Sequence, residues 1–253
     1  MHDRGGVGSA ISMHSVAACP PAARISLLGG FGLHLHGERV ELPHTAERLI
    51  SFLALHPRAL MRVFVAGSLW MNASESQACS SLRSLLWHVR ARTPVIDATS
   101  THLSLAPGVE VDVAECAGVV RRLHDSDEPP SRADVHALCE AGELLPDWYD
   151  DWLTVERERL RQRRLHSLET ACRRLTAAGR YAEAVEAGLS AVAVEPLRET
   201  GHAAVIGAHL AEGNLIEASR QYEQLRDLLR ENLGTVPSEH VRMLLRNGHV
   251  MAA

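Results

Sequence analysis

The sequence predicts a mainly α protein with a small β component, in which a winged helix-turn-helix is followed by an all-α, tetratricopeptide-like helical repeat domain. Short strand-like and helical segments alternate up to residue 111, and the pattern after it is almost entirely helical. Within the helical half a seven-residue motif returns after 34 residues, the period of tetratricopeptide units. We therefore expect a disordered tail at 1–23, a winged helix at 24–111 and the repeat domain at 112–253.

The predicted winged helix opens with two short strands. The segment Ile25–Leu35 is β-prone and is interrupted by three glycines. Gly37 and Glu38 predict a turn into a second strand at Val40–Leu42. The preceding residues, which end in the Pro20–Pro21 pair, are rich in Gly, Ala, Ser and His, and we expect a disordered tail rather than a secretion signal.

Three helices are predicted next. Thr45 is the predicted N-cap of a helix at Ala46–His56, and a short helix follows at Val63–Trp70. Ser74 and Gln77 have the spacing of a capping box, which predicts the start of a third helix that ends before the proline at position 94. The alternation of apolar and polar residues from there to residue 111 predicts a β-hairpin. This order of elements is the one expected of a winged helix-turn-helix.

The third helix carries the physical argument for DNA binding. At about 100° per residue its apolar side chains fall on one side, and small or hydrogen-bonding side chains fall opposite. Such a face lets a helix lie deep in a major groove, while guanidiniums on its flanks reach phosphates. The solvated face of an ordinary core helix would show the same pattern, so that alternative stays open. The residues predicted nearest to base edges are Gln77, Ser80, Ser84 and His88. On the flanks lie Ser81 and three arginines, Arg83, Arg90 and Arg92, whose guanidiniums would neutralise phosphates. The wing residues Thr101 and His102 are expected at the minor groove.

The second half is predicted to be helical apart from an acidic, proline-rich linker at 125–131. Its two repeat copies are Ala178–Ala184 and Glu212–Ala218. Gly179 and Gly213 fall where two helices meet and the backbone needs a positive φ. The alanine that ends each copy is expected to be small because the paired helices cross closely there.

Two repeat copies are too few to form a stable stack without neighbours. Flanking helices at Asp151–Ala177 and Ser238–Arg246 are therefore expected to pack as caps, and Pro196 marks the boundary between units. The pattern indicates architecture and does not identify a partner.

The chain resembles the Streptomyces antibiotic regulatory protein family, whose members join an OmpR-type winged helix to a bacterial transcriptional activation domain. Ser81–Arg90 is similar to the recognition helix of that family, and Ala66–Trp70 to the helix before it. Leu144–Trp152, followed by Glu156–Leu160, resembles the opening of the activation domain. The resemblance extends over most of the chain, from about residue 24 to residue 247.

The resemblance implies a cytoplasmic, non-enzymatic activator. Such a protein binds tandem direct repeats upstream of promoters, associates with itself head to tail on the DNA, and helps RNA polymerase holoenzyme to bind, often at genes of secondary metabolism. One departure favours a second hypothesis: Val63–Val65 is apolar where the family usually has polar or charged residues. In that hypothesis the helical repeats form an interaction surface, and the winged helix no longer binds DNA strongly.

Composition separates the two halves and excludes several classes of protein. The net charge of −5 divides into +2 for residues 1–110 and −7 for residues 111–253, which suggests different partners for the two halves. The sequence contains no run of 18 or more apolar residues, so no membrane-spanning helix is predicted. No phosphate-binding loop, nucleophile elbow or pair of catalytic carboxylates is found, so neither an enzyme nor a cofactor is expected.

Three smaller features are weighed against metal or redox chemistry. His34 and His36 share one face of a predicted strand, but no third ligand is near, and no metal site is expected. Cys79 is expected to be buried and inert, and the five scattered cysteines indicate reduced thiols. The aspartates at 147, 150 and 151 alternate with aromatic residues, which are expected to pack on the next helix.

Overall fold

The computed structural model describes residues 22–251, with side chains described to residue 246, and within this range it has seven strands and ten helices. The strands are β1 (Ala23–Ser26), β2 (Gly32–Leu35), β3 (Glu38–Arg39), β4 (Leu60–Met61), β5 (Ile96–Ala98), β6 (His102–Leu105) and β7 (Val109–Val111). The helices are α1 (His44–Ala54), α2 (Arg62–Leu69), α3 (Glu75–Arg92), α4 (Asp112–Asp125), α5 (Arg132–Glu140), α6 (Asp151–Ala177), α7 (Tyr181–Val194), α8 (Glu199–Glu212), α9 (Leu215–Leu233) and α10 (Glu239–Met251). The predicted tail lies outside the described residues except for its last two, of which Ala23 begins β1.

The first sheet has the strand order β3-β2-β1-β7. The turn between β2 and β3 lies at His36 and Gly37, where φ is 51° and 88°, so that Leu35 pairs with Glu38. Positive φ at both central residues suits a two-residue hairpin, because its twist then matches that of the strands. The strand predicted at Val40–Leu42 was therefore misplaced by two residues.

The predicted terminal hairpin divides between two sheets. β5 and β6 pair antiparallel and, with β4, form the sheet of the wing. β7 instead returns to the first sheet and runs parallel to β1, with Val111 opposite Ile25. The Asp112 carboxylate then accepts hydrogen bonds from the backbone N–H groups of Leu27 and Leu28, at 2.8 and 3.0 Å. These bonds join the start of α4 to the end of β1.

The helix-turn-helix consists of α1, α2 and α3, which close over a shared apolar core. The first helix begins at His44, two residues before the predicted start, and its N-cap is Pro43 without a side-chain cap. Thr45 is therefore not the N-cap, because the chain already turns into the helix at Pro43, whose carbonyl accepts from the N–H of Ala46 at 2.8 Å. Fully buried side chains of this core include Leu49, Ile50, Leu53, Val65, Leu82 and Leu86.

The helical half is built as the repeat predicted. α6 has the predicted bounds, and α7 to α9 form the antiparallel units after it. Gly179 and Gly213 have φ of 72° and 84°, a backbone conformation that glycine adopts without strain. Ala184 and Ala218 are fully buried between neighbouring helices. The mainly α architecture with a small β part is thus confirmed.

The two halves share one hydrophobic core through the tryptophan segment, which we define as Leu144–Trp152. Leu144, Leu145 and the following Leu153 are buried within the core of the winged helix. Arg48 of α1 forms an ion pair with Asp150 at 2.5 Å. The predicted boundary between residues 111 and 112 coincides with the junction of β7 and α4, but the core of the first half continues to Leu153.

The two tryptophan side chains of the tryptophan segment pack against the winged helix. Trp148 meets His44 edge to face, with ring centroids 4.7 Å apart, and Trp152 meets Phe52 in the same way at 5.2 Å. Tyr149 is 95% exposed and packs on neither half. The expectation that these aromatic residues pack on the next helix was wrong, because α1 supplies their partners.

Candidate nucleic-acid interface

The predicted capping box forms the start of α3. The backbone N–H of Gln77 donates to Ser74 Oγ at 3.4 Å, and the backbone N–H of Ser74 donates to Gln77 Oε1 at 3.2 Å. These bonds satisfy N–H groups that the first turn of a helix leaves without partners. They also engage the side-chain oxygen of Gln77, so its Nε2 group is the part left to meet a base.

The outer face of α3 is exposed and contains one large aromatic residue. Ser80 and Ser84 lie opposite the buried side of the helix and are exposed. Trp87, which was not among the predicted residues, lies on the side of this face next to Arg83 and Arg90 and is 71% exposed. The 100° spacing could have found it, because Trp87 falls about half a turn from Ala78. The surface therefore offers a flat apolar ring between the small polar side chains and the arginines of the helix.

The remaining predicted residues of α3 are also accessible, with one exception. His88 is exposed, and its Nδ1–H donates to the carbonyl of Ser84 at 2.7 Å, which leaves Nε2 as the ring nitrogen for another partner. The Trp87 and His88 rings meet edge to face with centroids 4.9 Å apart. Ser81 is half-buried, since it lies beside the core side of the helix.

Apart from Arg48 of α1, which is paired with Asp150, the arginines of the helix-turn-helix form no ion pair with the described residues. Arg58, Arg62, Arg83, Arg90 and Arg92 have no carboxylate within 4.0 Å among the residues that the structure describes. After residue 111, by contrast, eleven of the seventeen arginines are paired with acidic side chains. The guanidiniums around α3 are therefore available to an external anion.

These cationic groups converge because α2, α3 and the wing meet. Arg62, Arg83, Trp87 and Arg90 line one shallow groove. The backbone N–H of Arg62 donates to the carbonyl of Thr101 at 2.9 Å, which places the start of α2 beside the wing. Among the described residues the buried Nε of Arg62 has no hydrogen-bond partner. Sequence reasoning had left Arg62 out of the predicted site.

The wing tip is held by its own side chains. Thr99 Oγ1 accepts from the backbone N–H groups of Thr101 and His102, at 3.3 and 2.9 Å. The side chains of Thr101 and His102 are exposed and lie 2.9 Å apart between Oγ1 and Nδ1. Such bonds restrain a turn, so both side chains project from a rigid edge next to the groove.

An apolar rim borders this face at the start of α2. Val63 and Phe64 are both about half exposed, and the Phe64 ring lies 6.0 Å from that of Phe52. Val65 is fully buried in the core. Of the three apolar residues at Val63–Val65, where the resembled family usually has polar or charged residues, one therefore belongs to the core and two lie at the surface.

The histidine pair, Cys79 and the aspartates that the sequence analysis weighed for metal or redox chemistry can now be located in the fold. His34 lies in β2 and His36 in the turn after it, and no group of three metal-binding side chains occurs among the described residues. Cys79 is half-buried rather than fully buried. Asp150 is engaged by Arg48, whose Nε donates to its Oδ1 at 2.7 Å. Among residues 22–251 no helix is long and apolar enough to cross a membrane.

Comparison with solved structures supports the two-part architecture. The chain is similar to Mycobacterium tuberculosis EmbR, a structure determined in complex with a low-affinity phosphopeptide. The TM-score is 0.72 at 17% identity, and the match covers 92% of this chain but 66% of EmbR. At that identity the likeness shows the fold. Comparison with curated proteins found no match.

Family comparison identifies the second half. Residues 111–247 match the model of the bacterial transcriptional activator domain, which covers more than half of the chain. The match begins at the last residue of β7 and includes the tryptophan segment and the repeats up to α10. This match agrees with the resemblance to Streptomyces antibiotic regulatory proteins, to which the sequence of the tryptophan segment is similar. The chain therefore belongs to the bacterial transcriptional activator domain family of transcription regulators.

Proposed function

We propose that this protein is a cytoplasmic, sequence-specific DNA-binding activator. It binds tandem direct repeats at promoters through α3 and the wing, and it recruits RNA polymerase holoenzyme to genes such as those of secondary metabolism. Membership in the activator domain family and the winged-helix fold support the general part of this proposal. The direct repeats, the polymerase and the kind of gene follow from the resemblance.

The single observation that supports DNA binding is the set of arginines around α3 that have no carboxylate within 4.0 Å among the described residues. An arginine held by a carboxylate must lose that partner before it can bind a phosphate, whereas Arg83, Arg90 and Arg92 lose nothing. They flank an outer face whose exposed side chains include Ser80, Ser84, His88 and Trp87. Phosphate contacts on the flanks and base contacts between them are the division of roles typical of a recognition helix.

The alternative function also has an observation in its favour. Val63, Phe64 and Trp87 expose apolar surface near the same face, and exposed aromatic residues are frequent in protein–protein interfaces. In this alternative the winged helix contacts another protein and binds DNA weakly. The two functions differ in how binding depends on salt, because only neutralisation of phosphates releases condensed counterions.

The deciding experiment is a titration of promoter fragments with the full chain at several salt concentrations. If Arg62, Arg83, Arg90 and Arg92 each neutralise one phosphate, the slope of log K against log salt is about −3 to −4 per bound protomer. The Arg90→Ala variant should reduce that slope by about one. Arg163→Ala is the matched control, because Arg163 is an exposed arginine of α6 with no ion pair to any residue that the structure describes. A slope near zero would favour the alternative.

The arrangement of binding sites can be tested on the DNA itself. A single winged helix has no two-fold axis, so head-to-tail protomers require a direct repeat with a spacing of about one helical turn. Inserting about half a turn, roughly 5 bp, rotates one site to the opposite face and should abolish cooperative binding. A full-turn insertion should restore part of it. A palindromic footprint would contradict the head-to-tail arrangement.

A further inference from the structure

A cavity of about 470 Å³ lies where the two halves meet. The loop after β1 contributes Leu28, the tryptophan segment contributes Leu144, and α6 and the end of α7 contribute Leu160 and Val194. Cavities that bind small molecules usually have volumes of about 300 to 1,000 Å³, with mostly apolar walls and a few polar groups. This cavity has that size and mostly apolar walls, and its charged groups are three arginines and the two glutamates Glu143 and Glu158.

Two of the three arginines that line the cavity are neutralised within the protein. Arg157 forms an ion pair with Glu143 at 3.1 Å. Arg161 is paired with Glu158 at 2.8 Å and with Glu195 at 2.5 Å. Neither guanidinium therefore needs a further anion.

The third arginine, Arg164, is different. Its Nε and Nη2 groups donate to the carbonyls of Leu138 and Cys139, at 2.9 and 2.8 Å, which hold the guanidinium in place. Among the described residues no carboxylate lies within 4.0 Å of it, and its Nη1 group donates to no partner. Burial lowers the pKa of Arg164, because desolvation disfavours the charged form. A half-buried cation without a counter-ion is therefore part of the cavity wall.

We propose that the cavity binds a small amphiphilic organic anion. The acidic group of this molecule would bond to Arg164, and its apolar body would lie against Leu28, Leu144 and Leu160. The bound molecule would contact the loop after β1 and the repeat helices together, so it would stabilise the junction of the two halves. This site is separate from the face of α3, and its existence does not depend on DNA binding.

The test uses two fluorescent probes on the full chain. One is 8-anilinonaphthalene-1-sulfonate, and the other is N-phenyl-1-naphthylamine, which has the same rings without the sulfonate. We expect the sulfonate to bind with one-to-one saturation and at least about tenfold more tightly than the neutral amine, because only it can form a charge-assisted hydrogen bond. Decanoate should displace it, and decanol should do so less well.

Three variants assign the binding to the cavity. Arg164→Gln should remove the difference between the two probes. Ala193→Trp should block both probes, because Ala193 is an exposed residue at the cavity and the larger ring fills it. Arg163→Gln, on the exposed side of α6, should behave as wild type.

The outcomes separate clearly. If wild type shows no saturable one-to-one binding, or prefers the neutral probe, the proposal is wrong. If Arg164→Gln does not fold, because two carbonyls lose their donor, then Ala193→Trp decides by itself. Undiminished binding of the sulfonate to folded Ala193→Trp would place the probe elsewhere and would overturn the assignment.

Discussion

Replacing Leu153 by alanine should destabilise the winged helix, although Leu153 lies within the matched activator domain. Its side chain is fully buried among residues of the first core. A buried Leu→Ala change costs about 2–5 kcal/mol, from lost apolar burial and the cavity left behind. For a chain of this size that corresponds to a decrease in melting temperature of roughly 5–15 °C.

Hydrogen exchange measured by mass spectrometry can locate the effect. In Leu153→Ala we expect faster exchange in β1, α1 and α3, because their amides lose a shared support. Leu225→Ala is the matched control: it removes an equally buried leucine, but from the core of the last repeats. Its effect should be confined to α8, α9 and α10. If Leu153→Ala leaves exchange in α1 unchanged, the two halves do not share a core, and the reasoning fails.

Three further predictions follow from single contacts. Arg83→Ala should weaken promoter binding by about 1–3 kcal/mol, or roughly 5- to 150-fold, in gel-shift titrations, whereas Arg163→Ala should not. Equal affinities of Arg83→Ala and wild type would remove Arg83 from the site. Gly188→Ala should destabilise the chain by about 1–3 kcal/mol in urea unfolding, because the new Cβ would lie 2.6 Å from Val205 Cγ2. Gly207→Ala is its control, since nothing lies within 4 Å there and alanine favours the helix, so a loss of similar size would contradict the steric explanation. Burial lowers the pKa of His202, whose Nε2–H donates to the Pro196 carbonyl at 3.0 Å and whose Nδ1 accepts from Gln221 at 2.7 Å. Because the folded protein favours the neutral form of His202, the contribution of this residue to stability is present above about pH 6.5, and it is lost as the pH falls through the folded-state pKa. Unfolding free energy should therefore decrease on acidification, and His202→Gln should flatten that decrease; an unchanged profile would assign the effect to other groups.

Features that depend on neighbouring residues could be predicted from the sequence. The capping box of α3 joins Ser74 to a residue three positions later, and it forms as expected. The glycines of the repeat are similar, because the positive φ at Gly179 and Gly213 is required where one helix ends and the next begins. The repeat period and the apolar side of each helix are also properties of short segments, and they sufficed for the architecture.

The candidate interface could be predicted only in part. The exposed positions of α3 follow from helical periodicity, yet the list of predicted residues omitted Trp87, because large aromatic residues are usually buried. Arg62 was omitted because its closeness to the wing depends on a contact with Thr101, 39 positions away in the sequence. Whether the predicted residues touch DNA stays a prediction that the titrations above will test.

What the sequence determined by itself is therefore the set of elements, their amphipathic sides and the family of the helical half. Only the tertiary structure decided that β7 leaves the wing to pair with β1 and that the tryptophan segment packs on α1. It also decided that Arg164 lines a cavity and has no carboxylate within 4.0 Å among the described residues. The physical reason is the same in each case. Pairings between distant segments depend on the shapes and charges that the whole chain brings together, and local patterns of residues do not encode which of several apolar partners will be nearest.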